Sequence, residues 1–84
     1  MALPSEPVTL SAEQVEELHL KLSKLRHDIN NNLSLIVAAV ELIKHNPDMF
    51  ARMVTVLSEQ PPKISEAMSA YSAEFAKAVG PRRS

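Results

Sequence analysis

Five polar side chains stand close together in the first half of the chain, within the six positions from His27 to Asn32, which we call the polar stretch. They are one histidine, one aspartate and three asparagines, in a segment whose neighbours predict a long amphipathic helix. Asparagine and aspartate are poor residues for a helix interior, because their short side chains compete for backbone hydrogen bonds. A stretch that contradicts local propensity in this way indicates function. The alternative interpretation is a set of ordinary surface residues.

Metal coordination is one chemistry that histidine and aspartate could serve, but the spacing argues against it. His19 and His27 would lie roughly 12 Å apart along a helix, too far to share one ion. The chain has no cysteine, which excludes thiolate ligands and disulfides. We therefore expect no metal site and no bound cofactor.

A first helix over residues 11–45 is predicted to carry the polar stretch. It begins at Ser11, which forms the pattern of a capping box with Gln14. Its apolar residues recur at steps of three and four and fall within roughly 80° of a helical wheel. This first apolar stripe consists of Leu18, Leu22, Leu25, Ile29, Leu33, Ile36, Val40 and Ile43.

A second helix is predicted over residues 47–79, after a short connection at Asn46. Its apolar stripe consists of Phe50, Val54, Leu57, Pro61, Ile64, Met68, Tyr71, Phe75 and Ala78. Pro61 and Pro62 lack backbone donors, so we expect a kink there, but the apolar spacing continues and predicts one bent helix. Residues 1–10 are predicted to be a flexible segment, and residues 80–84 a tail.

So short a connection makes the two helices antiparallel, and the predicted fold is an all-α helical hairpin. One hairpin cannot cover both apolar stripes, whereas two hairpins related by a twofold axis form a four-helix bundle with a closed core. We therefore predict a homodimer. The alternative is a monomer of three or four helices broken at Pro61, where the sequence offers no glycine for a loop.

The helical wheel separates the polar stretch from the apolar stripe. His27 lies about 160° from the centre of the stripe, so its side chain should face solvent. Asn31, four residues later, shares that outward face. Asp28 lies beside His27 at the flank, and Asn32 falls near the edge of the stripe.

Charge and hydropathy exclude several other classes of protein. The formal net charge is −1, so no general basic surface for nucleic acid is expected. Lys21, Lys24 and Arg26 form a local basic cluster, which we interpret as a solvated helix face. The N-terminal residues do not resemble a signal peptide, and no apolar run is long enough to cross a membrane. We expect a soluble cytoplasmic protein.

The segment from His27 to Leu33, followed by Ile36, Glu41 and Leu42, resembles the phosphoacceptor box of two-component sensor histidine kinases. In that family the box lies in the dimerisation and histidine-phosphotransfer domain, a helical hairpin that dimerises into a four-helix bundle. Small histidine phosphotransferases of phosphorelays are built on the same bundle. The resemblance covers about residues 11–79, although its specific part is only the box itself.

The resemblance implies a role for each outward residue. His27 would be the phosphorylated nucleophile, and Asp28 would hydrogen-bond the imidazole and serve as base. Asn31 would position water for removing phosphate from the receiver domain of a response regulator. The surface that docks the receiver would include Ser34, Leu35 and Ala38.

Two departures from the family pattern limit the expected activity. Asn32 stands where many members have the proline that bends the first helix. In addition, the sequence has no Gly-rich or phosphate-binding segment for ATP, so we expect no kinase activity from this chain alone. A separate histidine-kinase ATPase domain would then be a further partner.

Two hypotheses for function follow. In the first, the chain is a phosphotransfer or receiver-phosphatase module, either excised from a kinase or free-standing, and the helix end at Gly80 favours a complete small protein. In the second, it is a catalytically silent dimerisation module, related to a kinase, that binds a kinase or receiver without exchanging phosphate.

Overall fold

A computed structural model describes residues 5–80, and all regular structure in this part of the chain is helical. Helix α1 spans Ala12–His45, a 3-10 turn spans Pro47–Met49, and helix α2 spans Phe50–Val79. The all-α class is therefore confirmed. Residues 1–4 and most of the predicted tail lie outside the described residues.

The start of α1 is fixed by the capping box that the sequence predicts. The Ser11 hydroxyl oxygen accepts a hydrogen bond from the backbone N–H of Gln14 at 3.1 Å, and the Ser11 N–H donates to Gln14 Oε1 at 2.8 Å. Ser11 has extended backbone angles and is the N-cap, so the helix itself begins one residue later.

The connection between the helices is a tight turn rather than the first turn of an α-helix. The Asn46 side chain accepts a hydrogen bond from the Asp48 N–H at 3.3 Å, and the Met49 N–H donates to the Asn46 carbonyl at 2.9 Å. This bond to the third preceding residue gives Pro47–Met49 its 3-10 geometry. The second α-helix consequently begins at Phe50, three residues later than the sequence predicts.

Helix α2 is continuous through Pro61 and Pro62, as one uninterrupted element. Proline supplies no backbone N–H, so the carbonyls of Leu57 and Ser58 have no helical donor. The expected bend stays a prediction. At the far end, the Gly80 N–H donates to the Ala76 carbonyl at 2.6 Å, and a Cβ on residue 80 would collide with that same oxygen.

Two polar contacts show that the helices pack side by side in antiparallel orientation. Asn32 of α1 bonds to Gln60 of α2 through their side chains at 2.9 Å. Lys21, further toward the start of α1, forms an ion pair with Glu74 near the end of α2. Because Gln60 immediately precedes the two prolines, this part of α2 lies level with the polar stretch.

Little apolar surface is buried inside the hairpin. Among residues 5–80 the buried apolar side chains are Ala39, Met53 and Val79. On a wheel at 100° per residue, the buried positions Ala39 and Met53 lie about 75° and about 40°, in the same sense, from the centres of their respective apolar stripes. The helices therefore face each other along the edges of their stripes rather than along the middle.

The remaining halves of both stripes are exposed on one side of the hairpin. The two stripes are displaced in the same rotational sense, and in antiparallel helices this brings their exposed halves to the same side. We call this surface the apolar face; it comprises Leu22, Leu33, Val40, Phe50, Val54 and Met68, all exposed. One hairpin thus leaves a long apolar surface uncovered.

Candidate functional site

The residues predicted to carry chemistry lie together on the outer side of α1. The side chain of His27 is 84% exposed, and that of Asp28 is 40% exposed. Asn31 is exposed one helical turn after His27. On the wheel these residues lie far from the apolar face, with His27 about 140° from Leu22. An imidazole in this position can be reached by a large partner.

Asp28 binds Lys24 more closely than it approaches the histidine. Lys24 Nζ donates a hydrogen bond to Asp28 Oδ2 at 2.8 Å, whereas His27 Nδ1 lies 3.6 Å from Asp28 Oδ1. The second distance is too long for a hydrogen bond. The bond from Asp28 to the imidazole that the resemblance implies is therefore replaced by an ion pair with the residue one turn earlier.

The ion pair further favours the ionised form of Asp28. The hydrogen bond from Lys24 lowers the pKa of the Asp28 carboxyl below its ordinary value, and the nearby His27 contributes in the same direction. Asp28 is consequently a carboxylate at neutral pH and can accept an N–H from Nδ1 of His27 after a small movement. The other ring nitrogen, Nε2, is then the one left to react.

Replacing Lys24 with glutamine should raise the pKa of Asp28 toward its ordinary value, because the ammonium that stabilises the carboxylate is removed. The lowered pKa gives the folded state stability above the unfolded-state pKa, and this stability is lost as pH falls through the folded-state pKa. Lys24→Gln should therefore weaken the dependence of the folding stability on pH in this acidic range. The Asp28 carboxyl ¹³C shift, titrated by NMR, measures the pKa directly.

Lys44→Gln is the matched control, since Lys44 forms a similar exposed pair with Glu41 further along α1. It should leave the titration of Asp28 unchanged. An Asp28 titration that is the same in Lys24→Gln and in the unmodified chain would show that the ion pair does not form in solution.

The predicted docking residues are exposed, but they do not form a single depression. Ser34 and Ala38 belong to a shallow depression on the outer side of α1, together with Asn30, Leu33 and Val37. Val37 is 61% exposed, the largest fraction among the exposed large apolar residues described. Leu35 is also exposed but lies outside this depression.

Two residues of the site region were missed by sequence reasoning. Lys24 belongs to the basic cluster that the sequence places on a solvated face, although its spacing of four residues from Asp28 is the signal for a helical ion pair. Gln60 was not singled out, and it is only 2% exposed and bonded to Asn32. A lone glutamine in the second helix carries no local signal that a partner 28 residues earlier will bury it.

Other kinds of site are not formed by the residues described. Glu41 and His45 are neighbours, with 3.7 Å between Oε1 and Nε2, but residues 5–80 contain no group of three or more metal-ligating side chains. Neither α1 nor α2 has a stretch long and apolar enough to cross a membrane.

Comparison with protein-family models, with curated proteins and with solved structures finds no match to this chain. The resemblance to the histidine-phosphotransfer domain therefore depends on the residues of the polar stretch. Their placement on one exposed face of a helical hairpin is compatible with that resemblance.

Proposed function

We propose that this chain is a cytoplasmic phosphotransfer module of two-component signalling, in which His27 exchanges a phosphoryl group with the aspartate of a receiver domain. One observation carries the proposal. An imidazole that is 84% exposed stands beside a carboxylate on the outer side of a long helix, in a segment that resembles a phosphoacceptor box. This placement allows a receiver to approach without any rearrangement of the hairpin.

In the proposed phosphoryl transfer, the two ring nitrogens of His27 have different roles. Neutral Nε2 would attack the phosphorus of the receiver's aspartyl phosphate, forming an N–P bond as the P–O bond to the aspartate breaks. The receiver aspartate leaves as a carboxylate. The positive charge that develops on the imidazole is balanced by Asp28, which accepts the Nδ1 proton as the 3.6 Å gap between Nδ1 and Oδ1 closes.

The proposal includes a homodimer in which the apolar face of one hairpin packs against that of a second copy. Two such faces related by a twofold axis would complete a four-helix bundle. The support is the exposure of bulky residues such as Leu33, Val40 and Phe50 on one side of the hairpin. Because His27 lies about 140° from Leu22 around α1, both histidines would stay accessible in this dimer.

The proposal is tested by mixing the protein with a receiver domain phosphorylated on its aspartate. We expect phosphate to appear on this chain in an acid-labile, alkali-stable form, or the lifetime of the phosphorylated receiver to shorten. Panels of receiver domains are needed, because the partner is not identified by the sequence. If several receivers bind this chain and none shows either effect, the silent dimerisation module is the better description.

Asn31→Ala should separate the two activities of the module. If Asn31 positions the water that hydrolyses the receiver's aspartyl phosphate, its loss should slow dephosphorylation by about 10- to 100-fold. Labelling of His27 should continue, because Asn31 is not the nucleophile. Asn30→Ala is the control: Asn30 is exposed about 100° away around α1 and borders the depression with Ser34 and Ala38, so at a saturating concentration of receiver its loss should change neither rate. Equal losses in both variants would argue against the role of Asn31.

A further inference from the structure

Asn32 and Gln60 form a buried amide pair between the helices. They are the buried polar side chains among residues 5–80, at 9% and 2% exposure. Asn32 Nδ2 donates to Gln60 Oε1 at 2.9 Å, and Gln60 Nε2 donates to the Val56 carbonyl at 3.0 Å. No buried side-chain nitrogen or oxygen in the described part of the chain lacks a partner.

Stability alone does not explain polar residues in these positions. Asn32 lies seven residues from both Leu25 and Ala39, so an apolar side chain there would continue the series that faces α2. Replacing a buried polar pair by apolar residues of similar size is often neutral or stabilising. A buried amide in an interface whose other buried side chains are apolar is instead a known means of selecting one packing arrangement among several.

The freedom that remains between these helices is rotation about their axes. Sliding along the axis is restricted by the short connection, in which one turn joins α1 to α2. Rotation is less restricted, because each apolar stripe is wide enough to pack through its centre as well as through its edge. A rotation of about 60° would bring Leu22 and Leu33 toward α2 and move Asn32 away from Gln60.

We propose that the Asn32–Gln60 pair sets the rotational position of the two helices, and so keeps the edges of their stripes together and the apolar face outward. The two amides bond to each other only in this position. Other positions either bury them without a partner or expose them and lose the bond. Asn32 and Gln60 are thus positioning residues for the whole face, including the side of α1 that carries His27.

Disulfide trapping measures this rotation within a single chain, since the protein has no cysteine of its own. Ala39→Cys with Met53→Cys reports the observed position, because both side chains are buried and both lie seven residues from the amide pair, toward the turn. Val40→Cys with Val54→Cys reports the rotated position, because a rotation of about 60° would turn these two exposed residues of the apolar face toward each other. We expect the first pair to close faster in the unmodified background, with intramolecular products identified by their mass. This readout needs neither phosphate transfer nor the proposed dimer.

The amide pair is then replaced by Asn32→Leu with Gln60→Leu. We expect helicity and thermal stability to be kept or increased, while the preference for the first cysteine pair over the second falls roughly fivefold or more. The exchanged pair, Asn32→Gln with Gln60→Asn, should restore the preference. An unchanged preference in the folded double-leucine variant would overturn the proposal. Unfolding of that variant would also overturn it, because the pair would then act through stability.

Discussion

Replacing His27 with glutamine should abolish phosphate labelling of the chain by a phosphorylated receiver. Glutamine keeps a polar side chain of similar size on the exposed side of α1 but has no nucleophilic nitrogen, so no N–P bond can form. Because the side chain is 84% exposed, its replacement removes few packing contacts, and the helical content should not change. Labelling is measured with radioactive phosphate after alkaline treatment, and helicity by circular dichroism.

The chain supplies a closely matched control for this experiment in His45. Its side chain is 81% exposed, and its Nε2 lies 3.7 Å from a carboxylate oxygen of Glu41. His27 is 84% exposed, with 3.6 Å between its Nδ1 and Asp28. Exposure and a nearby carboxylate are thus common to both histidines, whereas His45 lacks the aspartate directly after it and the run of three asparagines that follow His27. The His45→Gln variant should be phosphorylated like the unmodified chain. If His45→Gln loses the phosphate label and His27→Gln keeps it, the assignment of His27 as the nucleophile is wrong.

Leu33→Glu should convert the protein from a dimer to a monomer. Leu33 is 47% exposed in the single hairpin and belongs to the apolar face, so a twofold interface would contain the substitution twice. Because about half of each leucine is already covered within its own hairpin, the lost burial of the two side chains costs about 1.5–3 kcal/mol, which corresponds to a dissociation constant raised about 10- to 100-fold. Light scattering over a range of concentrations measures the mass, and circular dichroism shows whether the separated hairpin keeps its helices.

Leu20→Glu makes the same chemical change on another side of the same helix. Leu20 is 59% exposed and lies outside the apolar face, near the direction of His27 on the wheel. Its substitution should leave the mass of the protein unchanged. The proposed four-helix bundle would be contradicted if the unmodified protein were a monomer. It would also be contradicted if both variants dissociated equally.

The sequence predicted the helices well because their signals are local. The capping box at Ser11 depends on residues three apart, and the stripes depend on steps of three and four. The outward direction of His27 follows from the same periodicity. The continuity of α2 through Pro61 was also predictable, since the apolar spacing does not shift there.

The relative rotation of the helices could not be predicted from the stripes. The centres of the two stripes are the expected contact surfaces, yet the hairpin packs along the edges of the stripes. The contact that we propose as determining joins Asn32 to Gln60, two residues that are 28 positions apart and have no periodic signal in common. The Lys24–Asp28 ion pair was missed for a different reason: the spacing was visible, but exposed charges are ordinarily of little energetic weight.

The scarcity of buried apolar side chains, Ala39, Met53 and Val79 among the residues described, affects how the fold depends on protein abundance. If the apolar face is completed by a second copy, much of the free energy of folding comes from association and follows the law of mass action. Dilution then weakens the fold itself as well as the dimer. In a cell, scarce chains would be exposed to proteases until they met a partner, so the amount of active module would rise more steeply than the rate of its synthesis.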